Sequence, residues 1–490
     1  MFKPQTTPPA ASDRRWIAAI LLLGLALRLP GLNGGLWFDE VDTLTSYVRL
    51  PFGDLLRTYD SLNNHMFFSL QAKLSVALFG EHPWAIRLPA MLLGLASIWA
   101  LWRLGRLVAG EVPARLAALM MALSYHHVWF SQNARGYTGL LFFGLLATIF
   151  LVRGTAEPRW RFWLAYGFCL AVSMYTHLSA AFLFFAHGLA YGLVILVHLP
   201  RITPRAVLMP LGGVAFGLAL TVLLYASLLG DMVDTFSAVQ AGPADAQDAA
   251  SIAQWANPMW MLSEMAAAFG PFGPLGTLIL PGTLLVMIWG SVLLARNSAV
   301  LALILPVHLL ATTTLLIWLG FRVWPRYFLV DIGMICLVLI VGAIGTGHWL
   351  ATRLGRGGLA RQAGLALAGL GIAASLVLLP RNYTAPKQDY PGAAAYVEAT
   401  RSPDAPVIAL GLGRMPFERL YAPDWAFAER AEDLAALQID PAKAWIVYTF
   451  ASVVERRLEP VFAKLALTHE KARFFPGTLA GGGIVVLRPK

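Results

Sequence analysis

Four short polar motifs stand out in a chain of 490 residues, of which 58% are hydrophobic and 13% are charged. Each motif lies beside a long apolar run, and ionisable groups at membrane depth are costly enough to be functional candidates by default. The motifs are Asp39-Glu40, Asn63-Asn64-His65, Ser131-Gln132-Asn133-Ala134-Arg135-Gly136-Tyr137 and Phe321-Arg322-Val323-Trp324-Pro325-Arg326-Tyr327. They combine carboxylate, imidazole and guanidinium groups, which serve in proton transfer and phosphate binding.

The acid pair follows the first apolar run after only a few residues. Trp37 and Phe38 precede it, and because Trp is enriched at membrane interfaces, we expect Asp39 and Glu40 to lie near the membrane surface. A carboxylate there can take a proton from an acceptor hydroxyl or help to bind a divalent cation. The alternative is that both acids are ordinary solvated loop residues.

The arginine motifs suit a phosphate. Arg135 and Arg326 lie in turns that we place outside, against the usual charge bias, and the rigid donor fork of Arg matches a phosphate. The alternative is that both side chains extend to lipid headgroups. His65 can bind a phosphate or transfer a proton, and His177 lies at a third outer turn, although a structural role is the alternative for both histidines. Arginines that bind a phosphate leaving group, beside an acid that activates a hydroxyl, would suit group transfer.

The elements that must position these motifs are membrane-spanning helices, each of which needs about 20 apolar residues. The sequence predicts an all-α polytopic membrane bundle of about eleven transmembrane helices. The predicted spans lie near 16–32, 84–108, 113–131, 134–152, 161–178, 180–198, 206–229, 272–295, 299–319, 326–347 and 362–380. The segment 63–80 is shorter and more polar, so we predict a helix on the membrane surface there.

The distribution of charge predicts the orientation. Most basic residues fall in alternate short loops, which the positive-inside rule places in the cytoplasm together with the N-terminus. The long acidic loop 31–83 then lies outside, as does the loop 230–271, whose apolar part at 255–261 we predict to be a lid or interfacial segment. The net charge of +10 does not indicate nucleic-acid binding, because the basic residues form no patch on a soluble domain.

The composition changes after residue 380. Short β-like runs appear at 407–410, 445–448 and 483–487, and helix-like stretches lie near 389–400, 428–438 and 451–465. Strands that alternate with helices predict a small α/β domain. We therefore divide the chain into a transmembrane domain, 1–380, and a C-terminal extracytoplasmic α/β domain, 381–490.

The motifs together resemble the integral-membrane glycosyltransferases of the C-type fold, in particular bacterial relatives of protein O-mannosyltransferases and lipid A aminoarabinose transferases. The resemblance covers roughly 15–345. It rests on Asp39-Glu40, on Asn63-Asn64-His65 followed by Leu78-Phe79-Gly80 and Arg87-Leu88-Pro89, on the turn from Ser131 to Tyr137, and on Pro325-Arg326-Tyr327. Relatives often have prolines after the histidine, whereas Met66-Phe67 follow it here.

The resemblance implies a glycosyltransferase that takes a sugar, hexose or pentose, from a polyprenyl-phosphate-linked donor, with inversion at the anomeric carbon. Asp39 would be the base or a metal-associated acid, with Glu40 supporting it, and a divalent cation stays open as a cofactor. Arg135 and Arg326 would bind the donor phosphate. His65, Tyr137, His177 and Tyr327 complete the predicted donor site. The reaction would take place at the outer face of the bacterial inner membrane, with a lipid, glycan or protein as the acceptor.

Two other classes of function remain. A transporter or flippase of lipid-linked sugars would place ionisable groups near the bilayer midplane and contain internal repeats, whereas the polar motifs here collect at one face. A non-catalytic membrane scaffold whose outer domain binds a partner would leave Asp39, Arg135 and Arg326 dispensable.

Overall fold

The computed structural model describes residues 9–198, 202–240, 276–319, 323–479 and 481–490. Helices form almost all of the described chain up to residue 400, and a five-stranded sheet follows. The described helices of the first part are α1 Ala11–Arg28, α2 Phe38–Asp42, α3 Phe52–Leu55, α4 Met66–Phe79, α5 Pro83–Val108, α6 Glu111–Ala122, α7 Tyr125–Ser131, α8 Tyr137–Ala156, α9 Trp160–Thr176, α10 Ala180–Val197, α11 Pro204–Tyr225, α12 Leu229–Gln240, α13 Gly276–Ala295, α14 Ala299–Trp318, α15 Ile332–Arg353 and α16 Ala360–Leu378. A 3-10 segment, Pro325–Asp331, leads directly into α15.

Eight of the described helices are long and apolar enough to cross a membrane: α5, α8, α10, α11, α13, α14, α15 with its 3-10 segment, and α16. They coincide with eight of the eleven predicted spans. The predicted span 16–32 corresponds to α1, which has 18 residues, and 161–178 corresponds to α9, which has 17 residues. The predicted helical bundle is therefore confirmed, and the count of eleven spans stays a prediction.

The prediction of one continuous helix over 113–131 is wrong. The chain forms two helices there, α6 and α7, because Ser124 has an extended backbone (ψ 122°) that interrupts the helical hydrogen-bond ladder. The helix predicted at 63–80 is present as α4, whose 14 residues extend about 21 Å, and its location on the membrane surface stays a prediction. That length is less than the hydrocarbon thickness of about 30 Å.

The largest core lies among α5, α6, α8, α9, α14 and α15. Several helices approach each other through glycine, as small residues allow in membrane bundles. A Cβ atom at Gly167 of α9 would lie 2.2 Å from the carbonyl oxygen of Gly213 in α11, and one at Gly217 would lie 2.6 Å from the carbonyl oxygen of Gly167. The backbones of α9 and α11 thus touch along a face that no larger residue fits.

The C-terminal part contains a mixed sheet with the strand order β2-β1-β3-β5-β4. Strands β2, β1 and β3 are parallel to one another, and β5 is antiparallel to both of its neighbours, β3 and β4. Its strands are β1 Val407–Leu410, β2 Ala426–Ala428, β3 Trp445–Thr449, β4 His469–Phe475 and β5 Ile484–Pro489. Its helices are α17 Arg381–Thr384, α18 Tyr390–Thr400, α19 Arg414–Pro416, α20 Ala431–Ala436, α21 Ala451–Arg457 and α22 Glu459–Thr468. The predicted strands correspond to β1, β3 and β5. The sequence did not indicate β2, which has three residues, or β4, an edge strand with the charged residues that edges favour.

The segment between β1 and β2 contacts the segment between α1 and α4. The Tyr421 hydroxyl accepts a hydrogen bond from the Leu36 amide at 2.6 Å and donates one to the Leu36 carbonyl at 2.9 Å. Arg419 donates to the Ser46 hydroxyl at 2.7 Å.

The division into domains at residue 380 stays a prediction. The predicted lid at 255–261 lies outside the described residues, as do Phe321 and Arg322 of the fourth motif.

We expect Gly217→Leu to lower the stability of the protein by about 1–3 kcal/mol, since the new side chain meets the backbone of α9 and overpacks the contact. The measurement is the thermal unfolding midpoint in detergent micelles. Gly192→Leu on α10 is the matched control, because nothing lies within 4 Å of a Cβ atom there. Equal midpoints for the two variants would contradict the proposed packing.

Candidate active site

Asp39 lies in the first turn of α2. Its Oδ2 atom is 3.7 Å from Nη1 of Arg326, and it has no hydrogen-bond donor among the described residues. Burial raises the pKa of Asp39 above its usual value, and the charges of Arg135 and Arg326 offset part of that rise. The carboxylate therefore has an unoccupied oxygen that can accept a proton from another molecule.

Glu40, the next residue, has a different environment. It is fully buried, and its carboxylate accepts hydrogen bonds from Arg87 Nε at 2.8 Å and Arg87 Nη2 at 2.5 Å. The backbone amides of Ala134, at 2.7 Å, and Trp37, at 3.2 Å, also donate to it. Burial by itself would raise the pKa of Glu40, but the charge and hydrogen bonds of Arg87 outweigh burial and lower that pKa. Both oxygens are occupied, so Glu40 fixes the position of its neighbours.

Arg87 extends this network to the loop before α2. Its guanidinium donates to the carbonyl oxygens of Leu32 at 2.8 Å, Gly34 at 2.7 Å and Gly35 at 2.8 Å. The sequence analysis used Arg87 as part of a motif and assigned it no role. In the structure this side chain joins α5, the loop and α2 at one buried point.

Arg135 and His65 form the opposite side of the site. Arg135 Nη1 donates to the Asn63 carbonyl at 2.7 Å and to the Thr43 hydroxyl at 3.1 Å. His65 Nδ1 accepts from the Gly136 amide at 2.8 Å, and its Nε2 lies 3.1 Å from Arg135 Nη2. Burial and the nearby Arg135 charge keep the pKa of His65 well below its usual value, so the ring is neutral.

A neutral imidazole has one nitrogen that accepts and one that donates. Because Nδ1 of His65 accepts from the fixed Gly136 amide, its proton lies on Nε2, where it faces an Arg135 N–H group. Two donors therefore meet at this point without an acceptor between them. An anionic oxygen that both donors share would satisfy the arrangement.

The other predicted residues complete the cluster. The His65 ring centroid lies 4.3 Å from that of His177 and 5.3 Å from that of Tyr137. Arg326 interacts with Tyr137 and Tyr327 as well as with Asp39. The structure thus brings all eight predicted site residues together, although they come from five separate parts of the chain. Their roles in a reaction stay predictions.

Two further polar groups near the site are not apparent from the sequence motifs. The Nζ atom of Lys387 donates to the Gln132 carbonyl at 2.5 Å, and burial lowers the pKa of this lysine to about 7. A single lysine in a polar segment gave no signal in the sequence.

Asp331 ends the 3-10 segment that contains Arg326, and its Oδ2 is 2.7 Å from Nδ1 of His308 in α14, with both side chains buried. An acid inside an apolar run was the available signal for this pair.

The predicted divalent cation is not confirmed. Among the described residues, no three histidine, cysteine or acidic side chains come together in a group that could bind a metal ion. The positive charges of Arg135 and Arg326 act on Asp39, and these charges would oppose a cation at its carboxylate.

The chain is similar in sequence to known proteins over part of its length. The model of the dolichyl-phosphate-mannose-protein mannosyltransferase family matches residues 66–225. Two candidate mannosyltransferases of Bacillus subtilis (strain 168), YkcB and YycA, are 28% identical over 181 residues and 33% identical over 93 residues. These matches cover 34% and 19% of this chain, and the chain spans 25% and 13% of the length of those relatives.

The solved structures are similar over almost the whole chain. ArnT from Cupriavidus metallidurans bound to undecaprenyl phosphate has a TM-score of 0.55 at 14% identity, covering 98% of both chains. The apo form of the same protein has a TM-score of 0.56 at 14% identity, covering 97% of both. The Archaeoglobus fulgidus oligosaccharyltransferase has a TM-score of 0.52 at 11% identity, covering 96% of this chain and 72% of that one. The chain is therefore a multi-pass membrane protein with the C-type glycosyltransferase fold, as the sequence predicted.

Removal of the Glu40 carboxylate should be strongly destabilising. In Glu40→Ala the buried Arg87 charge loses its partner, and we expect a loss of about 3–5 kcal/mol in the free energy of unfolding. The control is Glu81→Ala, which breaks an exposed ion pair with Arg49 and should cost about 1 kcal/mol or less. Denaturant unfolding in detergent measures the free energy of unfolding of both variants. Similar losses in the two variants would refute the larger contribution expected from the buried pair.

Proposed function

We propose that this protein is a glycosyltransferase that moves a sugar from a polyprenyl-phosphate-linked donor to an acceptor hydroxyl. The observation that carries the proposal is Asp39, a partly buried acid with an unoccupied oxygen, beside the guanidinium groups of Arg135 and Arg326. An acid that accepts a proton, next to cations that bind a phosphate, is the set of groups that such a transfer needs. The fold and the match to the mannosyltransferase family model support the same class of reaction.

The donor phosphate would lie between the two arginines. The paired donors of His65 Nε2 and Arg135 Nη2 would share one phosphate oxygen, and Arg326 would approach from the side of Asp39. Charge develops on this phosphate as the bond to the sugar breaks, so these donors stabilise the transition state more than the ground state. ArnT, whose fold this chain has, was solved with undecaprenyl phosphate, which supports a lipid phosphate as the ligand.

The transfer would be a single displacement. Asp39 accepts the proton of the acceptor hydroxyl, and the hydroxyl oxygen forms a bond to the anomeric carbon. The bond between that carbon and the phosphate oxygen breaks, and the electron pair leaves with the polyprenyl phosphate. Attack opposite to the leaving group gives inversion at the anomeric carbon. Glu40 and Arg87 take no proton in this scheme and position α2.

The proposed location is the outer face of a bacterial inner membrane, with the N-terminus in the cytoplasm and the C-terminal part outside. The basic residues of the alternate short loops support this orientation. The sugar, hexose or pentose, and the acceptor, whether lipid, glycan or protein, are to be identified by experiment. The competing class is a transporter, for which the buried His308–Asp331 pair would be the relevant group.

The central test is the release of undecaprenyl phosphate from a panel of undecaprenyl-phosphate sugars by purified protein with membrane extract as the source of acceptor. We expect wild type to release it with one or more sugars and Asp39→Asn to lose at least about 100-fold in rate, the typical contribution of a general base. Asp54→Asn, an exposed acid of the same outer loop, should retain wild-type activity. Binding without release in wild type would favour the transporter or the scaffold.

The activity should also depend on pH through Asp39. The base form is lost as pH falls through the pKa of Asp39, which burial raises above its usual value. In a plot of log(kcat/KM) against pH, the activity should therefore fall on the acid side at a pH above the pKa of an ordinary aspartate, which is about 3.9. Because the Arg326 charge lowers this pKa, Arg326→Gln should move the limb to higher pH. A limb that stays in place in Arg326→Gln would show that another group is the base.

A further inference from the structure

The residue that follows β3 has an unusual backbone. Phe450 adopts φ 54° and ψ 51°, and it is the one non-glycine residue with positive φ in the described parts of the chain. For a bulky side chain this conformation is a genuine outlier, and glycine or asparagine would adopt it at lower cost. Strained residues of this kind persist where the surroundings determine them, often at sites that contact ligands.

The backbone on both sides of Phe450 is fixed. The preceding Thr449 pairs with Ile484 in the sheet, and its hydroxyl accepts a hydrogen bond from Gln388 at 3.0 Å. The Phe450 carbonyl accepts from the amides of Val453 at 2.8 Å and Val454 at 3.0 Å, which begin α21. The left-handed turn is thus imposed by the sheet and the helix.

The ring packs against the helix that contains the proposed base. Its centroid lies 6.1 Å from that of Phe38, with an interplanar angle of 84°, and Phe38 directly precedes Asp39. Gln388 connects the same elements, since its Oε1 accepts from the Phe38 amide at 3.1 Å and its Nε2 donates to Thr449. Phe450 therefore lies at the junction between the C-terminal sheet and the helix that contains the proposed base.

Both residues are only half-buried. A phenylalanine whose single purpose is to dock two elements would be expected to be fully buried in the contact. The location within the sheet is also typical of a ligand site. In the order β2-β1-β3 the strand sequence reverses between β1 and β3, and α/β folds bind ligands at the carboxyl ends of the strands at this point. Phe450 is the first residue beyond the carboxyl end of β3.

We propose that Phe450 and Phe38 form a subsite for a carbohydrate ring, with the ring of the sugar stacked on the aromatic face of Phe450. One face of a sugar ring presents C–H groups, which are apolar and slightly positive, and the face of an aromatic ring is electron-rich. The proposal rests on the proposed function, because the subsite lies beside Asp39, where a sugar would be transferred. The bound ring belongs to the donor or to the acceptor, and the experiment distinguishes the two.

The test uses Phe450→Asn, which removes the ring and favours the left-handed backbone, and Phe450→Tyr, which retains the ring. Phe52→Asn is the control, because Phe52 is an exposed aromatic residue of the same outer loop. Full-length variants in nanodiscs are titrated with undecaprenyl phosphate and with the glucose, mannose and aminoarabinose forms of that lipid. The concentration of membrane extract that gives half-maximal release of undecaprenyl phosphate is measured in parallel.

We expect Phe450→Asn to weaken one sugar-dependent step about tenfold, from the energy of an aromatic contact, and to leave the Kd of bare undecaprenyl phosphate unchanged. A weaker Kd for the glycosylated lipid assigns the subsite to the donor sugar. An unchanged Kd with a higher half-maximal extract concentration assigns it to an acceptor glycan. Phe450→Tyr and Phe52→Asn should stay within about twofold of wild type.

Two results would overturn the subsite. One is that Phe450→Asn weakens bare and glycosylated lipid equally, as a purely structural role would. The other is that it changes neither the Kd values nor the half-maximal extract concentration. The failure of the proposed function looks different, because wild type would then bind these lipids and release no undecaprenyl phosphate. A sugar preference of wild type that disappears in Phe450→Asn would support the subsite even in that case.

Discussion

The buried ion pair between Arg87 and Glu40 is the interaction on which the rest of the site depends. Moving two charges out of water costs several kcal/mol for each ion, and a buried pair is tolerated when additional hydrogen bonds satisfy both groups. Here the amides of Trp37 and Ala134 donate hydrogen bonds to the Glu40 carboxylate, and loop carbonyl oxygens accept hydrogen bonds from the Arg87 guanidinium. One pair thereby fixes α2 relative to α5 and to the turn that contains Arg135.

Two neighbouring carboxylates acquire different properties from this arrangement. Glu40 has every oxygen occupied, and its pKa lies below the usual value, so it stays charged. Asp39 has an oxygen without a donor, and burial raises its pKa, so it can exchange a proton. Pairs of acids whose environments move their pKa values apart are typical of acid–base sites. The environment of each side chain, rather than its type, separates the positioning residue from the proposed base.

The C-terminal part contributes to the site from a large distance in sequence. Lys387 contacts the turn before Arg135, Gln388 contacts the start of α2, and Tyr421 contacts the loop that Arg87 also binds. These contacts converge on the segment around Asp39. The C-terminal part therefore helps to position the helix that contains the proposed base.

The sequence by itself determined the class of fold and indicated the candidate site residues. Long apolar runs predicted the membrane helices, because a bilayer requires about 20 apolar residues for each span, and polar motifs with acids, histidine or arginines indicated Asp39, His65, Arg135 and Arg326. Only the tertiary structure decided the environment of each group. The hydrogen-bond partners of Glu40, the tautomer of His65 and the ring contact of Phe450 all depend on residues that lie tens to hundreds of positions away in sequence. Local periodicity and residue type do not specify such distant partners.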